Sequence, residues 1–201
     1  FCALHGYEYQ PNALLLRFPA SERWTRPAFA LYNVNWFLQR TSDGQLQGRR
    51  LGPSAGAAWF SQGFEPVPSF AALGRGLLDA DTEVANRVRE RLWMQQRVVI
   101  AMALASDPAL PAALPREVDP ACKDARVIDA AATSTRTGVR LRLETPADCP
   151  LAVAMNFVET LRAEASGADG RARAAIVFPA CGSLAGVWVP AGTRDLVLEA
   201  R

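Results

Sequence analysis

The sequence predicts an α+β chain: a small mixed α/β module followed by an antiparallel β-sandwich. Three observations predict it. A proline-rich stretch divides the chain near its middle, a helical period precedes that stretch, and a series of short strand patterns follows it.

The divide is the run Ser106 to Pro120, with prolines at Pro108, Pro111, Pro115 and Pro120. Proline lacks a backbone donor and blocks helix interiors and central strands. The stretch 106–121 therefore reads as a linker between a module at 1–105 and a module at 122–201.

In the first module, Leu31 to Arg40 is rich in β-branched and aromatic residues and reads as a strand. Ser42-Asp43-Gly44-Gln45 has Asp-Gly at its centre, which suits a hairpin turn, and Gln45 to Leu51 would return from it. Ala57 to Phe64 follows a glycine-rich loop and suits a short strand. Ser69 suits an N-cap for a helix over Phe70 to Leu78. The clearest helix signal runs from Asp81 to Gln96. Asp81 can cap it, Glu83 favours its first turn, and Val84, Val88 and Leu92 recur every four residues. Val98 to Ala105 could continue that helix or break into a strand.

The second module alternates. Val139, Leu141 and Leu143 point one way from Gly138 to Glu144, and Arg140, Arg142 and Glu144 point the other. Leu151 to Phe157 is apolar on both faces, as in a covered strand. Ser166 to Gly170 reads as a turn, Ala174 to Phe178 as a strand stopped by Pro179, and Leu184 to Val189 as another strand. Pro190-Ala191-Gly192 turns the chain into a last alternating strand, Arg194 to Ala200. Short strands with regular turn signals argue a sandwich.

Composition excludes several classes. With 22 basic and 20 acidic residues the net charge is +2, which does not suit a nucleic-acid binder. Lys123 is the only lysine, and the arginine bias fits a GC-rich genome better than a binding task. The longest apolar run, Val98 to Ala105, is far shorter than the roughly 20 residues of a membrane helix. The chain opens at Phe1-Cys2 without methionine or a secretory leader, and so reads as part, or a mature form, of something longer. Phe1 stands where a lipid-anchored Cys2 would want a small residue.

The cysteines are Cys2, Cys122, Cys149 and Cys181. With no paired spacing and His5 the only histidine, no structural zinc site is expected. Disulfides formed in an oxidising compartment and four buried thiols both remain open. If one bridge forms, Cys149–Cys181 is favoured, because both lie in the β-rich end.

Catalytic patterns are thin. His5 has only Glu8 nearby. Gly52-Pro53-Ser54-Ala55-Gly56 matches a nucleophile elbow by letters, but a basic turn precedes it and a strand pattern follows. Asp79, Asp81 and Glu83 suit a helix start, and Glu159 with Glu164 would flank a strand bend. No catalytic residue, metal or cofactor is assigned. Among Trp24, Trp36, Trp59, Trp93 and Trp188, core packing is the simpler reading. Trp188 is the exception of interest: it points opposite to Val187 and Val189, and Arg140 and Arg142 could give it a polar rim for a ligand.

The second module resembles the C-terminal region of the YfhO-like bacterial membrane proteins, related to the multi-spanning GT-C glycosyltransferases. The carrying residues are Asp124 to Phe157, Asn156 to Gly170, and the closing Leu184 to Arg201 with its Pro190-Ala191-Gly192 turn. Leu31 to Arg40 and Gly56 to Phe60 are similar to earlier strands of that family. Thr160-Leu161 stands where the family has Gly-Trp. The resemblance implies an extracytoplasmic, periplasmic-side domain tethered through upstream membrane segments. It would not be catalytic; it would contact glycan or the membrane part of its own parent. A secreted hydrolase and an envelope protein-interaction module are the alternatives.

Overall fold

A computed structural model describes residue 33 and residues 36–50, 56–67, 98–101, 117–134, 138–180 and 184–200. Twelve strands run through them: β1 (Trp36–Arg40), β2 (Leu46–Arg50), β3 (Ala58–Phe60), β4 (Phe64–Val67), β5 (Val98–Ala101), β6 (Arg126–Ala132), β7 (Gly138–Glu144), β8 (Cys149–Asn156), β9 (Leu161–Ser166), β10 (Ala172–Ala180), β11 (Leu184–Val189) and β12 (Asp195–Ala200). The helical element among the described residues is one 3-10 turn, Pro120–Asp124. Asp119 caps it by accepting from the Ala121 N–H at 2.8 Å, and Pro120 occupies its first turn, where no N–H is needed.

The α+β expectation is therefore corrected: the described chain is nearly all antiparallel sheet. The helix expected over 81–96 and the shorter one over 70–78 lie outside the described residues. Part of the first module belongs to the main sheet. That sheet has eight strands in the order β3-β8-β11-β10-β9-β12-β7-β6, and β3 comes from before the proline-rich linker. The reason is aromatic: Ala58-Trp59-Phe60 is buried on both faces, and pairing with β8 buries it.

The sheet coils into a nearly closed barrel because β10 changes partners along its length. Ala172–Ala175 pairs with β9, and Ile176–Ala180 pairs with β11. One strand thus joins both halves of what would otherwise be a sandwich, and the two edge strands, β3 and β6, come to face each other. β10 also runs through Pro179, where the sequence predicts a stop. Its second half pairs on one side with β11 among the described strands, so a residue without an N–H is tolerated there.

The predicted alternation fixes the barrel interior. Leu141 and Leu143 of β7, Leu161, Ala163 and Ala165 of β9, and Leu196 and Leu198 of β12 are buried, while Arg140, Arg142, Arg162 and Glu164 between them are exposed. β8 and β11 are buried on both faces over Cys149–Val153 and Leu184–Val189. Their inward residues, among them Leu151, Val153, Val187 and Val189, join the barrel core.

Their outward residues build a second cluster. Across the outer face, Trp59 pairs with Ala152, Ala152 with Gly186 and Gly186 with Phe178. This row sets large residues at its ends and small ones in its middle. Phe64 of β4 covers it, stacked on Trp188 with centroids 6.0 Å apart and edge-on to Phe178 at 6.4 Å. β4 pairs in parallel with β5, and β5 lies against β8 and β10. Val98–Ala101 is thus a strand, which resolves that ambiguity.

The turns follow their sequence signals. The β1–β2 hairpin closes at Thr41–Gln45, with the Gly44 N–H donating to Thr41 O at 2.9 Å and Gly44 at φ 84°. Glycine takes that left-handed conformation without strain. The Thr41 hydroxyl donates to the Asp43 carboxylate, and the Gln45 N–H adds a longer bond at 3.4 Å. Those bonds, the Thr41 one above all, hold the Asp43 carboxyl below its ordinary pKa. Between β9 and β10 of the main sheet, Gly170 N–H donates to Gly167 O at 3.1 Å, closing the predicted turn over Ser166 to Gly170.

Candidate functional site: the seam between the barrel edges

The place where the barrel fails to close is its most site-like feature. A cleft of about 320 Å³ lies there, walled by Trp59 and Phe60 of β3 on one side and by Arg126 and Val127 of β6 on the other. Gln62 sits on its rim, beyond β3, and Cys122 and Lys123 of the 3-10 turn complete it. Such a volume falls at the low end of small-molecule sites.

A disulfide fixes the seam. Cys122, just ahead of β6, is bonded to Cys149, which opens β8, with Cα atoms 5.6 Å apart. β8 carries β3 on its outer side, so the crosslink ties one edge of the sheet to the strand beside the other. Both cysteines are buried in the barrel core. This corrects the expected Cys149–Cys181 bridge: Cys149 is taken by Cys122, and Cys181 lies outside the described residues. Chain position misled here, because Cys122 precedes the β-rich run in sequence yet packs into its core.

The charged groups of the cleft are the cations Lys123 and Arg126, and the Gln62 amide can both donate and accept. Lys123, Arg126 and Gln62 are exposed. Trp59 is 4% exposed, and its buried indole N–H has no hydrogen-bond partner among the described residues. An unmade bond of that kind costs about 1–3 kcal/mol. The walls, Trp59, Phe60 and Val127, are apolar. The arrangement offers no nucleophile beside a base; chemically, it can hold a ligand that accepts hydrogen bonds.

The residues singled out from sequence are not brought together. Trp188 lies on the outer face of β11, 7% exposed and under Phe64, so its ring is not open to a ligand. Arg140 and Arg142 lie exposed on β7, and three strands, β10, β9 and β12, separate β7 from β11. Arg142 faces Asp195 on one neighbouring strand and Asp129 on the other, which makes this a solvated face of mixed charge. Glu159 lies in the turn before β9 and Glu164 on its exposed face, and neither lines the seam. His5, Ser54, Asp79, Asp81, Glu83, Trp24 and Trp93 lie outside the described residues.

Sequence reasoning missed Trp59, Gln62, Cys122, Lys123 and Arg126 as a group. The one available signal was the single lysine lying beside a cysteine. Among the described residues, no group of three or more His, Cys, Asp or Glu side chains could hold a metal ion, and no helix is long and apolar enough to cross a membrane. No protein-family model, curated protein or solved structure matches the chain.

Proposed function

We propose that this chain is a non-catalytic, extracytoplasmic binding domain whose ligand site is the seam cleft. The observation that carries the reading is the Cys122–Cys149 disulfide, which closes the site and joins the core. Disulfides persist in oxidising compartments and are rare in the reducing cytosol. A core built around one supports a domain that matures outside the cytoplasm. The resemblance to glycosyltransferase-like membrane proteins adds a tether to the membrane and glycan as the ligand class. A cleft with apolar walls and with amide and cationic groups on its rim suits a sugar, whose hydroxyls accept hydrogen bonds while its ring packs on apolar surface.

Thiol trapping tests the reading. The chain is produced with and without an export signal in a bacterium, and unfolded protein is then labelled with a maleimide. Exported protein keeps Cys122 and Cys149 unlabelled, is folded, and binds oligosaccharides on an array; protein kept in the cytoplasm is labelled at both and is less stable. Labelling of both cysteines in folded, exported protein sinks the reading.

A second reading, an envelope protein-interaction module, is favoured by β6. Among the described strands it pairs with β7 alone, and Ile128, at a bulge in that pairing, is 47% exposed. Ile128→Lys would abolish capture of a protein partner and leave sugar binding intact.

A further inference from the structure

The cleft's donors include two cations, and this bears on the head group of its ligand. Lys123 lies in the last turn of the 3-10 element, which ends at Asp124, and Arg126 opens β6, three residues after Lys123. Neither side chain has an ion-pair or hydrogen-bond partner among the described residues. Glu144 lies across from Arg126 in the β6–β7 register, yet no ion pair joins them. No carboxylate lines the cleft among its described residues. Among the described residues the cleft lining thus carries two cations that are in no ion pair, and no acid. A guanidinium forks onto an oxyanion, and an ammonium adds a point charge beside it. The Cys122 disulfide anchors the turn that carries Lys123, so the pair is held in place before any ligand arrives.

We propose that the seam cleft binds a small organic anion, its carboxylate or phosphate head held by Lys123 and Arg126 and its body against Gln62 and the half-buried Ala125 and Val127. This rests on the reading of the seam as a binding site.

The test uses three probes that share one ring and differ in the head: glucuronate, glucose 6-phosphate and glucose. Each is titrated into the oxidised full chain by calorimetry, in low salt and again in 0.5 M sodium chloride. The expected result is that at least one anion binds at least tenfold more tightly than glucose. Lys123→Ala and Arg126→Ala should each weaken that anion about tenfold, the size of one charged hydrogen bond. Salt should weaken it further. Arg171→Ala, an exposed cation away from the seam, should change nothing. Whichever anion binds more tightly identifies the head group. If glucose binds as tightly as the anions, or anion binding is indifferent to Lys123 and Arg126, the inference is overturned; retention of oligosaccharides on the array is the separate readout of the binding-domain reading. If none of the three binds, while oligosaccharides are still retained on the array, the anion inference alone falls. All variants lie on exposed positions, and matched melting curves establish that they fold.

Discussion

Phe178 lies directly across from Gly186 on neighbouring antiparallel strands, and its ring fills the space that a side chain at 186 would need. A Cβ built at Gly186 would stand 2.4 Å from the Phe178 ring. The ring is fully buried there, edge-on to Phe64, which in turn stacks on Trp188. The absence of a side chain at 186 is what lets the aromatic cover lie flat on β11.

This relationship predicts a compensating pair. Gly186→Ala should destabilise by about 1–3 kcal/mol through overpacking. Phe178→Ala should cost about 3–5 kcal/mol through the cavity it leaves. In the double variant the methyl group enters the vacated space, so its loss should be smaller than the sum. Denaturant unfolding of the three variants measures this, and strict additivity would count against the contact.

Replacing both Cys122 and Cys149 with serine should lower stability by about 3–4 kcal/mol, the loop-entropy value for a sequence separation of 27. The anion affinity of the cleft should fall with it, because the turn bearing Lys123 is no longer anchored. Unfolding curves with and without reductant check the first effect, and calorimetry the second.

Thr145 should matter more than its size suggests. Its buried hydroxyl lies 3.1 Å from Pro190 O and 3.2 Å from Thr193 O, and its carbonyl accepts from the Gly192 N–H at 2.8 Å. Thr145→Val keeps the shape but removes the donor, at an expected cost of about 1–3 kcal/mol. Thr145→Ser should cost less. Equal losses in the two variants would show that packing, not the hydrogen bond, governs the site.

Asp43 gives a pH dependence of known sign. Its folded pKa is lowered, chiefly by the Thr41 hydroxyl, so the ionised form is the one the hairpin favours. Its contribution is present above the ordinary carboxylate range, about pH 4, and is lost as pH falls through the folded value. Carboxyl NMR titration should place the Asp43 midpoint below that range, and Thr41→Val should raise it. A midpoint at the ordinary value in the unaltered chain would contradict the turn geometry.

Strand patterns in the last third were legible because one face of each strand is wet. The buried Leu141 and Leu143 and the exposed Arg140 and Arg142 impose a period of two that any reading finds. β9 was harder: Leu161, Ala163 and Ala165 are buried, but alanine carries a weak hydrophobic signal. β3 was legible as a strand, but its place in the main sheet was not, because long-range pairing leaves no local mark. The seam was hidden for the same reason. Trp59 and Lys123 meet only through the closure of the sheet, and the Cys122 pairing depends on it too. Trp188 was legible as lying opposite Val187 and Val189, yet β4 and its Phe64 cover were not foreseen.

The most direct test of the account is peptide mapping of the non-reduced, exported protein by mass spectrometry. The account predicts one linked pair that joins the peptide containing Cys122 to the peptide containing Cys149. A Cys149–Cys181 link, or free thiols at Cys122 and Cys149 in folded protein, would contradict it. The seam would then be unpinned, and the cleft and its cations would lose the frame that holds them.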